Sequence, residues 1–429
     1  MIRSHKSTTR LVPPKRRRTR LAVELLESRD CPSAYSIVDL LPAAGAYYSE
    51  ALGLSDSGLA VGSTTPVSGI RQATVWPVGT GSTRAGTFLP MRAGNDYSEA
   101  LDVNNAGMIA GHSSVRGATQ NAVAWIQSGG TYGVHDLGSL GGSFTDDSAI
   151  GLSDADALGT TWFVGQSSYH VSGNSHTQHA TVWRLNAAAQ TLSTIDLEPS
   201  GPVQSWAYDV RVVGDTIYVC GSYAQDAINH QARIWTLDLS GQVLSRTELG
   251  TLGGPLSWGT SINNYWHVVG GSTLTNDGYQ FAFLYRDNTM SNLGSLGNRG
   301  SYADALNDND TAVGTYFSSV KGSSFNRSDA FVWSNNTMLD LRSQLTSPDR
   351  SKWSHLYDGN DINTAGKIVG LGRVKVSPRS SEFHGYLMVP PALHASTPGP
   401  GIAVAEPSQA QIQPLLIEAV HRWQAAGVD

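Results

Sequence analysis

Aromatic side chains recur at seven comparable points of this chain: Tyr48, Tyr97, Phe144, Trp206, Trp258, Tyr302 and Tyr357. Carboxylates stand close by at Glu50, Glu99, Asp147, Asp304 and Asp358. Flat rings beside acidic groups can stack on sugar faces or grip the basic groups of a partner. The seven aromatics with Glu50, Glu99 and Asp304 are therefore the candidate binding residues. The same rings could instead act as wedges between structural units. Glycoside hydrolysis asks for two carboxylates facing each other at roughly 5–10 Å, and Glu99 with Asp304 is the pair to consider.

Other chemistry finds little support. Neither Gly-x-Ser-x-Gly nor His-Glu-x-x-His occurs in the chain. His170, His176 and His179 cluster in a hairpin insertion, Ser167–His179, but no zinc pairing or interleaved acidic ligand accompanies them. The Asp/Asn-rich turns lack the 12-residue calcium loop that ends in a bidentate Glu. Turn chemistry explains them better. No metal, cofactor or catalytic residue is expected, and the chain reads as a non-enzyme.

The elements that must position these residues are written as a repeat. Seven glycines, Gly62, Gly111, Gly165, Gly221, Gly270, Gly314 and Gly370, each follow an apolar residue. A second marker follows each: Ala73-Thr-Val-Trp76, Ala122-Val-Ala-Trp125, Ala180-Thr-Val-Trp183, Ala232-Arg-Ile-Trp235, Ala282-Phe-Leu-Tyr285, Ala330-Phe-Val-Trp333 and the degraded Gly385-Tyr-Leu-Met388. Successive aromatic positions lie 49, 58, 52, 50, 48 and 55 residues apart. A period near 50 with short strand-like units predicts a propeller or solenoid. In the second copy the strands fall at Ser98–Asn104, Met108–Ser113, Ala122–Ile126 and Gly133–Gly138, and four strands per unit make a propeller blade.

A fourth-strand marker, acidic or amide then Leu, follows most copies: Asp136-Leu137, Asp196-Leu197, Glu248-Leu249, Asn292-Leu293 and Asp340-Leu341. Thr87-Phe88-Leu89 fills the slot after the first copy, and the last copy has none. The missing marker stands before the first copy, at Asp39-Leu40. An N-terminal strand completing the last blade would close the ring and leave no open sheet edge. The expected fold is all-β: a seven-bladed β-propeller of four-stranded blades over residues 35–390. The repeated glycine is expected because inner strands crowd as blades taper toward the axis. The Trp positions are expected to be core.

Charge is uneven across the 429 residues. Residues 1–34 hold nine Lys/Arg and three Asp/Glu, so against a net charge of −6 they carry +6 and the remainder −12. An acidic body argues against nucleic acid as partner. No run of 18 apolar residues suggests a transmembrane span. Cys220 takes a position that is Val in five other copies and reads as a small buried side chain. Residues 391–407 form a Pro/Ala-rich linker. Ser408–Ala426 is expected to be an amphipathic helix, with Ile412, Leu415, Leu416, Ala419, Val420 and Trp423 on one side, docking on the propeller or on a partner.

Two resemblances sharpen this reading. Leu21, Glu24, Leu26, Glu27 and Arg29 resemble the LEPR-XLL type of N-terminal segment found on large exported bacterial proteins. Val269-Gly-Gly-Ser272, Ala330-Phe-Val-Trp333, Asp136-Leu-Gly-Ser-Leu-Gly-Gly142 and Glu248-Leu-Gly-Thr-Leu-Gly-Gly254 resemble the HAF family of extracellular repeats, over about 83% of the chain. That resemblance implies an exported repeat protein and supplies no catalytic residues. The naming His stands only at His179 and His384, a variability unsuited to metal ligands. The leading expectation is a non-catalytic extracellular or cell-surface protein binding a protein or glycan on one propeller face. The alternatives are a polysaccharide-acting enzyme using channel-mouth carboxylates and a structural envelope component assembled through its C-terminal helix.

Overall fold

Small and β-branched runs cut by Asn/Asp/Gly turns form strands along the whole of the described chain. The computed structural model describes residues 35–391, apart from 80–82, 142–145, 173–174, 189, 200–202, 225, 227–228, 276–277 and 321–325. They fall in one compact unit, Ala34–Ala392. Phe144, the export-like segment 1–34, the linker and the C-terminal helix lie outside the described residues.

The protein is all-β, with a six-residue helix, Ser347–Lys352, and a short 3-10 turn before it. Its strands make antiparallel four-stranded units in the order first-second-third-fourth. In the first unit Ala46–Leu54 pairs with Leu59–Pro66, that with Gln72–Pro77, and that with Thr87–Phe88. The following units open on Tyr97–Val103, Ser148–Leu152, Ser205–Val213, Gly253–Ile262, Ser301–Leu306 and Trp353–Ile362. The fourth and fifth share one sheet through a single parallel pair, His230 with Leu256.

In the last unit Ser380–Val389 pairs antiparallel with Ser36–Leu41, from Ser36 opposite Val389 to Leu40 opposite Gly385. The N-terminal strand thus takes the fourth-strand place there. Its chemistry matches that place: His384 Nδ1 lies 2.8 Å from Asp39 Oδ1, as His179 Nδ1 lies 2.8 Å from Asp196 Oδ2 two units after the first. The two histidines of the variable marker position each meet the acidic residue of their unit's fourth strand.

Burial runs from the inside out. Second and third strands are buried on both faces, whereas fourth strands such as Thr131–Asp136 are mostly exposed. Apolar side chains collect between successive units, and one cluster joins Val369 and Leu387 of the last unit to Ala51, Ala60 and Trp76 of the first. The marker indoles are core: Trp76, Trp125, Trp183 and Trp235 are fully buried. The first three donate their ring N–H to the backbone oxygens of Leu41, Pro90 and Gly138. Cys220 is also fully buried, and burial pushes its thiol pKa up.

One hydrogen bond repeats between units. The N–H of the third-strand marker Ala donates to the hydroxyl of a Ser on the next unit's first strand. Ala73 reaches Ser98 (3.0 Å), Ala180 Ser205 (2.8 Å), Ala232 Ser257 (2.8 Å) and Ala282 Ser301 (3.0 Å). Gly385 of the last unit makes the same bond to Ser49 of the first, at 3.0 Å.

The repeated glycine has a cause other than the expected taper. Every first strand carries a register shift, between Ala51 and Gly53, Ala100 and Asp102, Ala149 and Gly151, Ala207 and Asp209, Gly259 and Ser261, Ala303 and Ala305, and Gly359 and Asp361. This β-bulge drives a first-strand carbonyl onto the neighbouring strand. A Cβ at Gly62 would stand 2.0 Å from the Glu50 oxygen, and one at Gly270 would stand 1.9 Å from that of Trp258. No side chain fits opposite the bulge, so the glycine is a local steric requirement.

Candidate functional site

The two ends of the first strands carry different chemistry. At the entry end, Tyr48 and Glu50 alternate on one face of Ala46–Leu54, with Ser49 and Ala51 buried on the other. The Tyr48 hydroxyl donates to Glu50 Oε2 at 2.8 Å, and burial followed by the Glu50 charge raises its pKa. Arg71, from the hairpin before the third strand, lies 3.4 Å from Glu50 and 2.5 Å from Glu99. Its guanidinium also sits 5.4 Å above the Tyr48 ring. Glu99 further accepts from Ser63 and lies 3.5 Å from His112 Nε2. Tyr97 stacks on His112 at 5.9 Å between ring centres, and burial beside Glu99 pushes its hydroxyl pKa up to about 12.

The aromatic side of this mouth is continuous. Tyr357 lies 4.0 Å from the His355 ring and 5.7 Å from Phe383, stacked on the latter, and Phe383 lies 6.3 Å from Tyr48. Phe383 is 40% exposed, so the arc Tyr357–Phe383–Tyr48 presents ring surface to solvent. Arg373 covers part of it, 5.9 Å from the Phe383 centre.

The remaining predicted aromatics are spread among other units. Trp206 donates its ring N–H to Gln178 Oε1 at 3.1 Å and stacks on His230 at 5.5 Å. Trp258 lies against Gly271, where a Cβ would meet its ring at 2.5 Å. Tyr302 sits 5.7 Å from Phe317, with its hydroxyl pKa raised by burial and then by Asp304. Trp206 thus reaches the preceding unit's third strand, whereas Trp258 and Tyr302 rest on the second strands of their own units. Asp147 is structural: it accepts from Ser139, Ser167 and the Ser168 N–H. Asp358 accepts from Thr315 at 3.1 Å, and burial raises its pKa to about 6.

Glu99 and Asp304 do not form one carboxylate pair. Ala100 pairs with Gly111 and Ala303 with Gly314, so Glu99 stands before the paired Ala of its strand while Asp304 stands after it. Asp304 is therefore about 7 Å further along the strand direction, at ~3.3 Å per residue. It is the bulged residue itself. With Leu52, Leu101, Ile150, Tyr208, Thr260 and Asn360, the bulged residues of the other units, it lines a cavity of about 710 Å³. A bulge re-aims the extra side chain, and here seven bulges aim one residue each into a common space at the turn end.

The walls of that space are cross-bonded between units. Asp102 accepts the Leu152 N–H (3.0 Å), Asp209 that of Ile262 (3.0 Å) and Asp361 that of Leu54 (2.7 Å). Burial raises the pKa of Asp361 to about 8, with Asp102 the next cause. The turns beyond are chained as well. Thr364 N–H donates to Asp56, Asp56 N–H to Asn105 and Asn105 N–H to Asp154. The Asp/Asn-rich turns thus bond their neighbours, and among the described residues no His, Cys, Asp or Glu group converges as a metal site.

Sequence reasoning did not reach Arg71, His112 or Phe383. A faint signal existed. The position two residues before each third-strand marker reads Gln120, Gln178 and Gln280 in three copies, but Arg71, His230, Ser328 and Phe383 in the other four. Two of these departures, Arg71 and Phe383, flank Tyr48.

No family model matches the chain, and no curated protein matches it. Solved structures do. The extracellular domain of a one-component system from B. thetaiotaomicron is 9% identical with a TM-score of 0.43, covering 82% of this chain and 39% of that one. Trypanosoma rangeli sialidase is 11% identical with a TM-score of 0.37, covering 72% of this chain and 56% of that one. An ulvan lyase, a polysaccharide lyase, is 10% identical with a TM-score of 0.44, covering 79% and 94%. The chain spans well under two thirds of the first two. Among the described residues no helix is long and apolar enough to cross a membrane.

Proposed function

We propose that the four-stranded units are the seven blades of a closed β-propeller, and that the chain is an exported, non-catalytic protein that binds a glycan at the entry mouth. The inter-unit bonds that recur between last and first units, Gly385 to Ser49 and Leu54 to Asp361, support closure. The export-like segment supports an extracellular or cell-surface place.

The observation that carries the glycan reading is the partly exposed arc Tyr357–Phe383–Tyr48 beside the Glu50–Arg71–Glu99 cluster. Rings take the apolar face of a sugar, and fixed charged groups take its hydroxyls. Binding fits better than catalysis there. Glu50 and Glu99 are both held by Arg71, and the remaining candidate carboxylate, Asp304, faces the cavity beyond the bulge.

The test is the full-length protein on a broad glycan array beside Phe383→Ala and Tyr357→Ala. Selective binding that falls at least about tenfold in both folded variants, on the scale of stacking losses, supports the reading. A blank array, or binding unchanged in both variants, overturns it.

A further inference from the structure

The turn-end cavity has a chemistry of its own. The Asp304 carboxyl makes no hydrogen bond or ion pair among the described residues, and its Oδ2 is buried and unpartnered. Leaving a buried polar group unsatisfied is costly, and a hydrophobic residue serves the bulge position in three other units. Leu52, Leu101 and Ile150 hold it in the first three units and line the same cavity as Asp304 of the sixth. Tyr208, Thr260 and Asn360 hold it elsewhere, so the collar combines aliphatic side chains, polar groups and one free carboxyl.

The neighbouring charges decide what such a collar takes. Asp102, Asp209 and Asp361 line the same cavity but are occupied by backbone N–H groups. Arg211 bonds Asp209 at 2.7 Å and the Val210 carbonyl, both through Nη1, and Asp209, Asp102 and Asp361 surround its charge, so the cavity stays acidic. A metal ion would need several converging ligands, and Asp304 stands alone. One uncommitted carboxyl in an acidic cavity that also holds aliphatic side chains suits an organic cation.

We propose that this cavity is a second binding site, for a small alkyl ammonium ligand whose charged nitrogen pairs with Asp304 and whose hydrocarbon lies on Leu52, Leu101 and Ile150. Asp304 follows the entry groups along the strand direction and faces the cavity, and the proposal does not depend on the glycan reading. Burial and the nearby Asp358 hold the Asp304 carboxyl protonated well above the usual carboxylate range. An ammonium ligand therefore displaces that proton, so binding releases a proton to the buffer.

The experiment is calorimetry of the full-length protein with n-hexylamine, n-hexanol and hexanoate, repeated in two buffers of different ionisation enthalpy. Hexylamine should bind at least about tenfold more tightly than hexanol, as a charge-assisted contact worth ~1.4 kcal/mol or more requires, with a proton released. Asp304→Asn should cut that preference to less than about threefold and abolish the proton release. Leu101→Asn should weaken amine and alcohol alike. Asn at 304 keeps the size and polarity of the protonated carboxyl, so the variant should melt no lower than the parent. No amine binding at millimolar concentrations, or an Asp304→Asn variant that keeps the amine preference, overturns the proposal. The Phe383→Ala variant should bind hexylamine normally, which separates this site from the entry mouth.

Discussion

Gly370→Ala should be among the most damaging single-methyl additions in this protein. The new Cβ would stand 2.0 Å from the Asp358 carbonyl oxygen and 2.7 Å from the Tyr386 hydroxyl. Those two groups are hydrogen-bonded to each other at 2.7 Å, and Tyr386 is fully buried. The methyl must therefore part a buried hydrogen bond and push backbone aside. Overpacking costs ~1–3 kcal/mol, and an unsatisfied buried hydroxyl costs a further ~1–3 kcal/mol. If the bulge between Gly359 and Asp361 flattens, the Asp361 bond to the Leu54 N–H goes too. The expected loss is about 2–6 kcal/mol, summed from these contributions. Gly117→Ala is the control: nothing lies within 4 Å of its Cβ, and its φ of +79° leaves only local strain, worth roughly 1 kcal/mol. Equilibrium urea unfolding of the two variants, compared at unchanged slope, reads the difference. A Gly370→Ala midpoint equal to that of Gly117→Ala would refute the bulge as the reason for the repeated glycine.

Further outcomes can be checked in the same way. Asp39→Ala and Asp196→Ala should each lower stability by ~1–3 kcal/mol, because each strands a buried histidine; a cost in one alone would deny that the N-terminal strand replaces a fourth strand. Ser49→Ala and Ser98→Ala should weaken the fold comparably, about 1 kcal/mol each by thermal melting, as both remove the acceptor of the same inter-unit bond. Asp358 holds its proton up to about 6 in the folded protein, so between pH 4 and 6 the folded state binds more protons than the unfolded chain. Its contribution is complete below the unfolded carboxylate pKa of about 4 and is lost as pH rises through 6. Asp358→Asn should flatten that part of the stability–pH curve, and an unchanged curve would count against the buried state of this carboxyl.

Much of the architecture could be read from residue spacing because the repeat states its constraints seven times. The glycines, the Ala-x-x-Trp markers and the displaced Asp39-Leu40 each have one mechanical job, so their types barely drift. The site reads less well because it is made of the departures. Arg71 and Phe383 matter as exceptions to Gln120, Gln178 and Gln280, and a single chain does not distinguish an exception from noise. Asp304 was drawn into the entry mouth because its proximity to Tyr302 suggested one surface. A one-residue bulge, invisible in strand alternation, turns Asp304 toward the cavity instead. The glycine beside each bulge was visible, but crowding at a taper explained it equally well until the carbonyl contact was seen.

The antiparallel pairing of Ser36–Leu41 with Ser380–Val389 has a mechanical consequence. Ser36 and Val389 face each other, so the chain enters and leaves this body at the same end of one strand pair. Tension applied through both exits would load the ladder one rung at a time, in the manner of a zipper. A two-ended tether would therefore give way at low force, starting with the N-terminal strand.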